Sequence, residues 1–163
     1  MHYLSDANLV QLVPGVAAAI SRLRGAQVHP VVITNQSGIA QGLITEAQYA
    51  ATRDRLAALL AAEGAEVDLQ LHCPHHPDVT GPCSCRKPGT LLYERAAEQL
   101  GIDLTRSLFA GDRWRDVEPG ITLGGMAVLV PSPATPADER DRAERQGLLA
   151  PTLGDAVTRF LAR

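Results

Sequence analysis

The stretch Val28-His29-Pro30-Val31-Val32-Ile33-Thr34-Asn35-Gln36-Ser37-Gly38 decides the fold. Its β-branched run, centred on Val31-Val32-Ile33, has no polar alternation. That pattern predicts a strand over residues 28–34 covered on both faces, as in a parallel sheet. Polar residues follow at once. A threonine hydroxyl, successive backbone amides and a glycine that permits close approach make 34–38 a candidate phosphate cradle. The same residues also suit an ordinary strand-to-loop turn.

Apolar runs and helical patterns alternate on either side. Residues 13–24 read as a helix with Val16, Ala19, Ile20 and Leu23 at helical spacing, stopped by Gly25. Thr45 and Gln48 form a capping-box signature for a helix running through Ala61. A strand is expected over 67–72, a helix over 90–100 ending at Gly101, and a strand over 107–110 leading into Gly111-Asp112. A short helix over 114–123 is weakened by Pro119-Gly120. A strand over 126–130 and a closing helix over 153–162 complete the order. Residues 131–151, rich in Pro, Asp, Glu and Arg, read as a lid or as a solvated loop with a helical piece. This alternation predicts one domain over 1–163 with a three-layer α/β fold and a mostly parallel sheet. Ligands in such folds bind beyond the carboxyl ends of the strands. Residues 34–38, the cysteine loop and Gly111-Asp112-Arg113 are therefore expected to converge on one site.

The cysteine loop is the most specific chemical signal. Cys73-Pro74-His75 and Cys83-Ser84-Cys85-Arg86-Lys87-Pro88 use all 3 cysteines of the chain. Cys73, His75, Cys83 and Cys85 form a Cys₃His set with no open position, the pattern of a structural zinc site. Pro74, Pro77, Gly81 and Pro82 keep the segment irregular, so a metal can organise it in place of a core. His72 and His76 read as neighbours of this set. Arg86 and Lys87 follow directly and suit a clamp on phosphoryl oxygens. Asp112, placed after a strand and a glycine, is a candidate Mg²⁺ ligand. Asp116 either assists it or faces solvent near a helix start.

Bulk properties exclude several function classes. A formal net charge of -3 gives no support for nucleic acid or an anionic membrane as partner. The sequence shows no signal-peptide pattern at Met1-His2-Tyr3-Leu4-Ser5-Asp6 and no apolar run of membrane-spanning length. Three cysteines gathered in one loop suit a reducing compartment, which makes a cytoplasmic protein the expectation.

Taken together, Thr34-Asn35-Gln36-Ser37-Gly38-Ile39-Ala40, the two cysteine motifs and Gly111-Asp112-Arg113-Trp114-Arg115-Asp116 resemble the haloacid-dehalogenase (HAD) superfamily. The zinc loop resembles its branch of D-glycero-D-manno-heptose 1,7-bisphosphate phosphatases and histidinol-phosphate phosphatases. The resemblance implies a Rossmann-like fold and a small phosphorylated metabolite as substrate, with structural Zn²⁺ and catalytic Mg²⁺. Thr34 would bind the transferred phosphoryl group, Lys87 would be the lysine of the third motif and Asp112 the Mg²⁺ ligand. Asn35, Arg86 and Arg113 would contact substrate. The family's aspartate nucleophile and acid–base aspartate lie in an Asp-x-Asp-Gly motif ending the first strand. In this sequence Asp6-Ala7-Asn8 is a poor substitute, lacking an apolar strand, a second carboxylate and a glycine turn. The resemblance therefore implies that the central first strand and part of the Mg²⁺ site are missing, through a start assigned too far downstream or a truncated copy. It also implies a monomer unless another chain supplies that strand. A heptose bisphosphate is favoured over histidinol phosphate. The competing readings are a catalytically dead phosphate-binding homologue and a zinc-loop interaction module, the latter leaving the phosphate motifs idle.

Overall fold

Val31–Asn35 forms strand β1, which pairs in parallel with β2 at Leu69–Cys73, in a register that sets Thr34 opposite His72 and Asn35 opposite Cys73. The computed structural model describes residues 3–163. Two compact units divide at the Arg86–Lys87 boundary, and each holds one parallel strand pair.

In the first unit, helix α1 spans Val16–Gly25 and helix α2 Glu46–Ala62. The start of α1 lies later than the sequence pattern suggests, because Gly15 sits at its N-cap in the left-handed region, at φ 80°. The start of β1 is late for a similar reason. Gln27 adopts φ 59° and the Val28 amide donates to the Leu23 carbonyl, so the chain is still closing α1 at that point. The capping box of α2 forms as expected: Gln48 N–H donates to Thr45 Oγ1 at 3.1 Å and Thr45 N–H to Gln48 Oε1 at 2.8 Å. Ala17 and Ile20 of α1 meet Leu60 of α2 and Ala65 in a buried cluster flanked by Leu12, Val16, Leu56 and Val67. A one-turn helix, α3 at Pro77–Thr80, sits within the cysteine segment and is N-capped by the His76 ring.

The second unit opens with helix α4, Leu91–Leu100, ended by Gly101 at φ 66°. Strand β3, Leu108–Gly111, pairs in parallel with β4, Met126–Leu129, through the crossover helix α5, Trp114–Thr122. Alternate residues of β4 enter different clusters, as a period of two requires. Ala127 and Leu129 pack with Trp114 and Val117 of α5, and Val128 packs with Ala150 and Ala156. Helix α5 persists through Pro119 because it is pinned by packing. A Cβ on Gly120 would stand 2.7 Å from the Phe109 Cβ, so only glycine lets the helix lie this close to β3. Residues 131–151 hold a helix, α6 at Ala137–Arg145, and Ala143 within it is buried beside Trp114 and Leu129. The closing helix α7, Leu153–Leu161, buries Ala156 and Val157. No described helix is long and apolar enough to cross a membrane.

Leu60 is 2% exposed at the centre of the first cluster. Leu60→Ala is expected to lower the unfolding free energy by about 2–5 kcal/mol, read by urea denaturation followed by circular dichroism. A change within experimental error would mean that this cluster does not hold α2.

Candidate active site and metal centre

The register of β1 and β2 brings the loops after both strands together within the first unit. Gln36 N–H donates to the Cys73 carbonyl at 2.8 Å, and Ala40 N–H to the Pro74 carbonyl at 3.2 Å. The loop after β1 is thereby tied to the start of the cysteine segment. The Thr34 hydroxyl accepts from Gln36 Nε2 at 3.1 Å. Ser37 is buried and shares a hydrogen bond with the Tyr3 hydroxyl, which also accepts from Gln41 Nε2. Gly38 lies beneath the Tyr3 ring, where a Cβ would meet ring carbons at 2.7 Å. Tyr3 thus fixes the curvature of the 36–41 loop.

Four donor atoms gather beside this loop. The Sγ atoms of Cys73, Cys83 and Cys85 lie 3.7, 3.1 and 3.5 Å apart, and His75 Nδ1 lies 3.6 Å from Cys73 and 3.2 Å from Cys85. All four atoms fall within 4.8 Å of one another, and no cysteine is in a disulfide. A tetrahedron with Zn–S bonds of about 2.3 Å has edges of about 3.8 Å, so the set fits Zn²⁺ after a small expansion. The electrostatics favour a cation as well. Burial and the Cys85 thiol, with a smaller effect from Cys83, push Cys73 up to about 12. Cys83 moves down: burial opposes its ionisation, but hydrogen bonds from the Cys85 thiol and the Arg86 amide outweigh it. Three crowded sulfurs cannot all ionise unless a cation compensates them. Arg86 leaves the loop with its guanidinium donating to the His75 carbonyl at 3.3 Å. His72 pairs with Glu46 at 3.2 Å and stands outside the cluster.

In the second unit, Lys87 Nζ lies 2.6 Å from Asp116 Oδ1, with the two side chains only 11% and 9% exposed. Asp116 therefore does not face solvent. Its other oxygen accepts from Arg113 N–H at 3.1 Å, which closes the first turn of α5. Gly111 must be glycine, because a Cβ there would collide with the Asp116 side chain. The Asp116 charge adds to burial in raising the pKa of Tyr93. Asp112 is held from the other side. Ser132 Oγ donates to Asp112 Oδ2 at 2.6 Å and Thr135 Oγ1 to the Asp112 carbonyl at 2.7 Å. Arg113, expected to contact substrate, places its guanidinium on Glu139, at 3.0 Å from Nη2 and 3.2 Å from Nε. Glu139 also accepts from Trp114 N–H, and Arg142 stacks 3.6 Å over the Trp114 ring. Helix α6 is thus bolted to the start of α5 and does not hang free as a lid.

Sequence reasoning expected site roles for Thr34, Asn35, Arg86, Cys73, His75, Cys83 and Cys85, all of which lie in the first unit, with the four Cys and His donor atoms within 4.8 Å of one another. It also expected them for Lys87, Asp112 and Arg113, which lie in the second unit. It missed Ser132, Thr135 and Glu139, which lie 20–26 residues from their partners. No local spacing could have exposed them. Asp6, the one acidic residue near the start, accepts from Asn8 N–H as the cap of the 3-10 turn Ala7–Leu9.

Residues 84–156 match the HAD-hydrolase-like family model. The D-glycero-beta-D-manno-heptose-1,7-bisphosphate 7-phosphatase of Pseudomonas putida is 39% identical over 135 residues, covering 80% of this chain and 76% of that protein. The enzyme of the same name from Escherichia coli is 33% identical over 145 residues, covering 84% and 76%. The crystal structure of D,D-heptose 1,7-bisphosphate phosphatase from B. bronchiseptica, complexed with magnesium and phosphate, superposes with a TM-score of 0.81. It is 30% identical and covers 98% of this chain and 89% of that one. The chain belongs to the haloacid-dehalogenase superfamily, in its D,D-heptose bisphosphate phosphatase branch.

Two measurements probe this geometry. Purified protein is expected to carry one zinc per chain by mass spectrometry, and strong chelation or Cys83→Ser is expected to lower the melting temperature. Zinc-free protein with an unchanged melt would refute the site. Glu139 is held below the usual glutamate range, chiefly by its hydrogen bonds from Arg113. Its contribution is therefore complete above the unfolded-state pKa and is lost as pH falls through the lower folded value. Glu139→Gln should destabilise near neutral pH and show a shallower loss of stability on acidification. Parallel stability–pH curves for variant and parent would show that the pair contributes nothing.

Proposed function

We propose that this protein, in the form that carries the family's aspartate nucleophile, is a Mg²⁺-dependent phosphatase acting on a sugar bisphosphate of the heptose 1,7-bisphosphate type through an aspartyl-phosphate. The observation that carries the reading is the buried Lys87–Asp116 pair beside Asp112, in a chain of this family. Asp116 holds the Lys87 ammonium in place. An ammonium so placed is suited to stabilising charge on phosphoryl oxygens in the transition state.

Asp112 suits a hard cation. Its Oδ2 accepts from Ser132, while Oδ1 has no hydrogen bond among the described residues. A single carboxylate oxygen together with water and phosphate is a common Mg²⁺ arrangement. Bound there, Mg²⁺ would neutralise phosphoryl oxygens and act as a Lewis acid. Thr34 and Asn35 are assigned to binding the phosphoryl group, and Arg86 to a substrate contact. Arg113 acts through Glu139 to hold the start of α5. The Cys₃His set is assigned to structural zinc, which fixes the segment that ends at Arg86. Thiols gathered as metal ligands suit a reducing compartment, and the cytoplasm is the proposed location.

The test is phosphate release from D-glycero-D-manno-heptose 1,7-bisphosphate and, in parallel, from histidinol phosphate, with and without Mg²⁺. Mg²⁺-dependent turnover of the heptose ester is expected from a form that carries the family's Asp-x-Asp-Gly strand ahead of these residues, with Lys87→Ala reducing kcat by about 10²–10³ and Asp112→Ala abolishing metal dependence. Preference for histidinol phosphate would overturn the substrate class. Phosphate binding without turnover would identify a phosphate-binding homologue instead.

A further inference from the structure

The turn after β4 has no role in the assignments above, yet its two hydroxyls both end on Asp112. Each hydroxyl is oriented by a backbone amide. Ser132 Oγ accepts from Ala134 N–H at 3.1 Å, and Thr135 Oγ1 accepts from Ser132 N–H at 2.8 Å. With those lone pairs engaged, each hydroxyl directs its proton to Asp112, Ser132 to the carboxylate and Thr135 to the main-chain carbonyl. The turn is itself closed by Thr135 N–H donating to the Ser132 carbonyl at 3.0 Å. It is anchored at the strand ends by Val130 N–H donating to the Gly111 carbonyl at 2.8 Å.

We infer that Ser132 and Thr135 are positioning residues for Asp112, fixing its carboxylate rotation so that Oδ1 is presented to a divalent cation. The inference rests on Asp112 being the Mg²⁺ ligand proposed above. The physical basis is general. A ligand carboxylate free to rotate loses entropy on binding metal, whereas one held by an outer hydrogen bond does not. Ser132 donates to the oxygen that would otherwise compete for the cation. Thr135 fixes the backbone from which that carboxylate projects.

The test is titration of the zinc-loaded full chain with Mn²⁺, a spectroscopic substitute for Mg²⁺, following the free-ion electron paramagnetic resonance signal, with Mg²⁺ as competitor. Ser132→Ala is expected to weaken Mn²⁺ binding by about 10–100-fold with an unchanged melting temperature, and Ser132→Thr to restore it. Thr135→Val, which removes the second contact, should weaken binding in the same direction and gives an independent test should Ser132→Ala fold poorly. If Asp112→Asn abolishes Mn²⁺ binding while Ser132→Ala and Thr135→Val bind like the parent, the positioning role is overturned and the Mg²⁺ assignment stands. If Asp112→Asn binds like the parent, both are overturned.

Discussion

The ion pair between Lys87 and Asp116 is the constraint around which the second unit is arranged. Both side chains are about nine-tenths withdrawn from water, so each charge depends on the other for compensation. The arrangement dictates its neighbours. Gly111 has no side chain because the Asp116 carboxylate occupies that space. The start of α5 is fixed because the same carboxylate takes the Arg113 amide, leaving the Arg113 guanidinium to reach Glu139. Pairs of this kind add little net stability compared with a well-packed apolar alternative. Here the pair holds the Lys87 ammonium at one place.

A cluster of four donor atoms takes the corresponding place in the first unit. The segment from Cys73 to Arg86 contains one helical turn and few buried apolar side chains, so hydrophobic burial cannot fix its path. Four donor atoms within 4.8 Å can do so. Hydrogen bonds from Gln36 and Ala40 carry that order into the loop after β1. The consequence is chemical, because Arg86 then leaves the loop at a defined point with its guanidinium on the His75 carbonyl.

Much of this was legible in the sequence where the cause is local. Three of the four strands announce themselves as short apolar runs and β2 as an apolar–polar alternation, the Thr45–Gln48 box caps its helix, and Gly101 ends another. The four clustered Cys and His donors were legible because a loop imposes close spacing on them. Boundaries slipped where one residue's backbone decides them, as at Gln27 before β1. Residues 131–151 were opaque because α6 is strongly polar and enters the core chiefly through Ala143. The partners of Asp116 and Arg113, Lys87 and Glu139, are distant in sequence and set by the fold. Ser132 and Thr135 look like ordinary turn residues until the structure sets them against Asp112.

The most direct test of the account is a crystal structure of this protein grown with Mg²⁺ and inorganic phosphate. The account requires Mg²⁺ on the Asp112 carboxylate, phosphate within hydrogen-bonding distance of Lys87 Nζ, and Asp116 still paired with that lysine. Phosphate bound away from Lys87, or Asp112 turned from the metal, would contradict it.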